Sequence, residues 1–147
     1  MKLIYVIVAD AAQANPNGKF SILGGGIETI HALTFPAVHP GLALVVRLSV
    51  QASEANQSHD LRVDIAGPND FYVTAGGIAG FSSVALPDEP DRPTTLNLVM
   101  NMPILVFPEP GMYLFRLYVD TQEVGNYPLY VLELNPNNAS SQVKQDQ

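Results

Sequence analysis

Proline and glycine punctuate this chain so often that helices have little room: 12 prolines and 11 glycines are spread over 147 residues. Each proline in a helix interior removes a hydrogen bond and adds a clash, and interruptions about every ten residues are the turn spacing of all-β proteins. Between them the hydropathy alternates. Leu42, Leu44, Val46, Leu48 and Val50 share one face of an extended segment, with Ala43, Val45, Arg47, Ser49 and Gln51 on the other. A period of two with one apolar face reads as a half-buried strand. Leu61, Val63 and Ile65 alternate in the same way with Asp60, Arg62 and Asp64, and Leu96, Leu98 and Met100 with Asn97, Val99 and Asn101. Tyr113, Phe115, Leu117 and Val119 face away from Met112, Leu114, Arg116, Tyr118 and Asp120, and a last strand runs from about Tyr127 to Leu134.

The first 14 residues admit two readings. One lysine, an apolar stretch from Leu3 to Ala9 and the small residues Ala12 and Ala14 have the outline of a secretory signal. Asn17-Gly18, set between that stretch and Phe20 to Leu23, is a strong hairpin signal, because both residues accept the positive φ of a type I′ turn. Removing residues 1–14 would strip the partner from the second strand, and the apolar stretch is short and runs into Asp10. The strand reading is the expectation, with a cytoplasmic location.

Seven or eight strands in one domain, 1–135, imply an all-β fold of two antiparallel sheets packed face to face, followed by a polar, disordered tail at 136–147. Glu109, Gly111 and Tyr113 stand in the alternating pattern of a tyrosine corner, which gives the sandwich an immunoglobulin-like character. With neither tryptophan nor cysteine, the antibody-type core is excluded.

Ala9-Asp10, Gly18-Lys19, Ile22-Leu23-Gly24 and then Gly111, Tyr113, Phe115 and Asp120 resemble, in order, the pattern of a family of small bacterial proteins of unknown function. The resemblance runs from Lys2 to Leu134. It implies a cytoplasmic β-sandwich and brings no catalytic residues with it.

The absence of cysteine also excludes disulfides and thiolate chemistry. Fourteen acidic against seven basic residues give a net charge of −7, which opposes nucleic-acid phosphates and anionic membranes. No apolar run reaches the roughly 20 residues of a spanning helix. His31, His39 and His59 lack the spacing of a metal motif, and surface positions at strand ends are their expected place. Gly24-Gly25-Gly26 and Gly76-Gly77-Ile78-Ala79-Gly80 open no helix, so they read as bulges or close backbone approaches and not as nucleotide loops. Asp88, Glu89 and Asp91 alternate with Pro87, Pro90 and Pro93, the pattern of a solvated linker, with a calcium loop as the alternative.

No catalytic, cofactor or metal residues are therefore expected. Tyr118, Tyr127 and Tyr130 on the last two strands are the candidate interaction surface. The expected function is a non-catalytic protein-interaction or structural module, with an unidentified protein or a second copy of the chain as partner. A small-ligand or calcium-binding module is the alternative, and a histidine-dependent hydrolase a remoter one.

Overall fold

The computed structural model describes residues 1–70 and 72–135. The expected tail at 136–147 lies outside them. Eleven strands form three sheets among the described residues. The first sheet contains β1 (Lys2–Ala14), β2 (Phe20–Gly25), β5 (Leu42–Val50) and β8 (Thr94–Met102), in the order β2-β1-β5-β8. In the second, β3 (Thr29–Ala32), β6 (Ser58–Ala66), β7 (Tyr72–Ser82), β10 (Gly111–Val119) and β11 (Gln122–Glu133) lie in the order β3-β11-β10-β6-β7. A small third sheet pairs β4 (Ala37–His39) with β9 (Leu105–Phe107). All pairings are antiparallel except β3 with β11.

The excess over seven or eight strands comes from β3, β4 and β9. At three or four residues each, they are too short for alternation to show in the sequence. The alternation read in the sequence holds in the burial of β6 and β10. Leu42, Leu44, Val46 and Leu48 of β5, Leu61, Val63 and Ile65 of β6, and Tyr113, Phe115 and Leu117 of β10 all join one buried cluster, which also takes in Phe107 of the small sheet. One core thus draws on all three sheets.

β5 departs from the half-buried expectation, because Ala43 and Val45, on its other face, are also fully buried. The hairpin of β1 and β2 accounts for this. Asn17 and Gly18 take φ of 66° and 72° at its turn, as the Asn-Gly pair requires. Residues beyond Ala9 pair only with β2, and the hairpin bends back over the outer face of the sheet. At its tip the Gly18 carbonyl accepts a hydrogen bond of 2.9 Å from the Asn97 side chain, on β8 two strands away from β1. Asn97 Oδ1 in turn accepts from Arg47 on β5 at 3.1 Å.

The tyrosine corner is formed. Tyr113 is fully buried, its ring set edge-on to Phe107 at 4.8 Å between centroids. Its hydroxyl donates to the Glu109 carbonyl at 2.6 Å and accepts from the Glu109 N–H at 3.3 Å. Removing that hydroxyl leaves two backbone groups short of a partner at the entry to β10. Tyr113→Phe is expected to lower the unfolding free energy in urea by about 1 to 2 kcal/mol, and equal stability of the two proteins would show that the corner bonds contribute nothing.

Candidate functional site

The structure separates the three tyrosines. Tyr127 lies directly across from the core residue Phe115, on the inner face of its sheet, and its hydroxyl donates to the Ile27 carbonyl at 2.7 Å. Burial pushes that phenol above its ordinary pKa. Tyr118 and Tyr130 face outward from opposite ends of the β10–β11 ladder. The Arg62 guanidinium covers the Tyr118 ring at 4.5 Å, within 3.2 Å of Asp64. Tyr130 is 45% exposed beside Met112, its direct cross-strand neighbour, and Leu132. What the sequence offers as one aromatic surface is therefore an inner packing residue, a shielded ring, and one exposed ring in a small apolar patch.

The best-connected polar group sits at the Tyr118 end of the ladder. His59 is the second residue of β6, with Phe81 tilted against its ring at 5.6 Å. Its Nδ1 is 2.9 Å from Asp120 Oδ2, and its Nε2 is 2.8 Å from the Glu54 carbonyl. Both facing atoms only accept, so the ring satisfies both when each nitrogen carries a proton. Asp120 sits in the β10–β11 turn with φ of 55°. Its Oδ1 accepts from the Asp60 N–H at 3.0 Å, and its own N–H donates to the Asp60 carbonyl at 2.8 Å. Glu54 closes a single 3-10 turn, accepting from the Gln51 N–H at 3.0 Å, with the Met1 ammonium 2.6 Å from its other oxygen. The group clasps the β10–β11 turn and the 3-10 turn to the start of β6. The cleft beside it has a volume of about 60 Å³, room for roughly two waters and too little for a substrate.

Larger clefts lie elsewhere on the surface, and two of them carry side chains singled out in the sequence. One of about 420 Å³ runs along the connector between β3 and β4 and brings His31 and His39 to the same wall, while His59 lies elsewhere. His39 Nδ1 accepts from the Gly41 N–H at 3.3 Å. The other, of about 590 Å³, opens between the end of β7, the acidic linker and the start of β8. Ser83 Oγ and Thr94 Oγ1 are buried along it without a hydrogen-bond partner among the described residues. In the linker Glu89 pairs with Arg92 at 3.0 Å, and both are exposed. Among the described residues no three histidine or carboxylate side chains converge as a metal site, and no helix is long and apolar enough to cross a membrane.

His59 and Asp120 are 61 positions apart, and no local spacing announces their pairing. The available signals were modest: a histidine next to an alternating strand, and an aspartate at a hairpin turn where positive φ is tolerated.

The family model described as "Family of unknown function (DUF6941)" matches residues 4–132. No curated protein matches the chain.

The clasp gives stability a pH dependence of definite sign. The hydrogen bond to Asp120, then that to the Glu54 carbonyl, raise the His59 pKa above its ordinary value. The bond from His59, then that from the Asp60 N–H, lower the Asp120 pKa. The histidine contribution is therefore complete below the unfolded-state pKa of about 6.5 and lost as pH rises through the higher folded-state value. The aspartate contribution is present above its unfolded pKa and lost as pH falls through the depressed one. Asp120→Asn keeps a residue that tolerates positive φ while removing the charge. The melting temperature of the unmodified protein should drop more between about pH 6 and pH 8.5 than that of Asp120→Asn, and equal drops would mean that the pair does not stabilise the fold.

Proposed function

The chain belongs to this family of unknown function, so no inherited activity serves as a premise, and we propose that it is a non-catalytic protein-interaction module that accepts an extended strand along the edge of β8. One observation carries the reading. β8 spans nine residues, Thr94–Met102, pairs with β5 in unbroken register, and contains no charge, proline, glycine or bulge. Proteins normally blunt such an edge, because its unpaired N–H and C=O groups template another strand. The other three edges of the two larger sheets carry such devices. β3 has only four residues, β2 ends in two glycines with φ of 60° at Gly24, and β7 carries register shifts.

The non-catalytic part of the proposal rests on His59. Both of its ring nitrogens are committed to acceptors, so it has no free lone pair with which to act as a base while the clasp holds.

An immunoglobulin-like sandwich of two main sheets is the scaffold we infer. Taken in chain order, β1, β5 and β8 correspond to strands A, B and E of that architecture, and β6, β10 and β11 to C, F and G, with the same neighbours in each sheet. The buried tyrosine corner at the start of β10 supports the same assignment. A cytoplasmic location completes the proposal, supported by the lack of cysteine, which suits a reducing compartment.

A photo-crosslinking side chain at Asn101, exposed on β8, is expected to trap a protein adduct in the native cell. The same group at Leu23, exposed on β2, should trap none. Adducts at Leu23 with none at Asn101 would overturn the assignment of the interaction to β8.

A further inference from the structure

We infer that the strand accepted by β8 is β8 of a second copy, paired antiparallel about a two-fold axis at Leu98. This rests on β8 being the interaction edge and adds the identity of its partner.

The first ground is where pairing can begin and end. Pro93 and Pro103 bracket the strand, and neither has a backbone N–H to offer a ladder. In an antiparallel self-pair centred on Leu98, Pro93 of one copy falls opposite Pro103 of the other. All nine residues between them find partners, and no other symmetric register pairs all nine.

The second ground is what that register places face to face. On the core side Leu96 meets Met100 and Leu98 meets itself. On the outer side Thr95 meets Asn101 and Asn97 meets Val99. Leu96, Leu98 and Met100 oppose only apolar partners, the Thr95 hydroxyl opposes the Asn101 amide, the mixed pairs are Asn97 with Val99 and Thr94 with Met102, and no charge opposes another. Odd-numbered positions pair only with odd and even with even, so whichever set of backbone groups points outward from β5, donors in one copy meet acceptors in the other.

Electrostatics selects antiparallel over parallel. Asp88, Glu89 and Asp91 lie just before β8. Parallel pairing would set the two linkers side by side. The antiparallel pair holds them at opposite ends of a strand of roughly 30 Å, beyond the Debye length of about 8 Å at physiological salt. A pairing confined largely to one strand is smaller than the roughly 800 Å² per partner of a stable interface, so the dimer is a weak one.

Sedimentation at concentrations up to about 1 mM, the range where small interfaces assemble, should show a monomer passing into a dimer. Thr95→Lys/Asn101→Lys sets like charges directly opposite each other twice, and Thr95→Glu/Asn101→Glu does the same with the opposite sign. Each double variant alone should stay monomeric, and an equal mixture should recover the dimer as a heterodimer. Should either variant unfold, the absence of native cysteine permits a second measurement: Thr95→Cys mixed with Asn101→Cys should oxidise to a mixed disulfide, while Thr95→Cys alone should not. A protein that remains monomeric throughout overturns self-pairing. If the Asn101 crosslinker still traps a different protein, the interaction edge stands and only the second copy is excluded; if it traps nothing, the edge itself falls. A dimer indifferent to the charge variants overturns the register.

Discussion

The four-stranded sheet depends on β5. It is paired over its full length with β8 and over most of it with β1, and it is buried on both faces. Its even-numbered leucines and valine supply the sheet's side of the core, and its alanine and valine at 43 and 45 accept the hairpin folded over the back. A strand buried on both faces must have both edges paired as well, since an unpaired backbone group away from water is costly. That requirement fixes β1 and β8 as its neighbours and pushes the open edges out to β2 and β8.

The second sheet is joined to the first by side chains instead of a shared ladder. Tyr113 brings the largest buried ring into the cluster, packs on Phe107 of the small sheet, and ties its hydroxyl to the backbone at Glu109. The turn into β10 is thereby fixed by a polar contact at the rim of an apolar core. Burial there pushes the Tyr113 phenol above its ordinary pKa. At the opposite end of β10 the Asp120 turn is held by His59. The strand that contributes most aromatic packing is pinned at both termini.

How much of this could be read from the sequence divides along physical lines. Where one face meets water and the other the core, the period of two is printed in the residues, so β6, β8 and β10 were legible. The Asn17-Gly18 turn was legible because positive φ restricts residue choice. The double burial of β5 was not, since Ala43 and Val45 are compatible with either environment until the hairpin is seen to fold back. Tyr127 looks outward in the sequence because a tyrosine fits both a wet and a dry face, and only its register opposite Phe115 settles the matter. The His59 clasp depends on contacts between distant segments and leaves no periodic trace.

Charge is distributed unevenly between the two larger sheets and the connections that join their strands. In β1, β2, β5 and β8 the ionised side chains are Lys2 and Arg47 against Asp10, a net of +1. In β3, β6, β7, β10 and β11 they are Arg62 and Arg116 against Asp60, Asp64, Glu123 and Glu133, a net of −2. The remaining −6 of the chain's −7 is carried by the connections and the tail, with Asp88, Glu89 and Asp91 just before β8 among them. Self-repulsion keeps acidic proteins apart in solution, and the edge strand β8 itself adds no charge to it. Arg47 is also engaged locally, donating to Asn97 and to Thr95 on β8, so its charge is spread over the neutral polar groups that line the outer face of the edge strand. An edge strand that carries no charge of its own lowers the barrier to strand pairing on an acidic molecule, and it does so without any specific attractive charge.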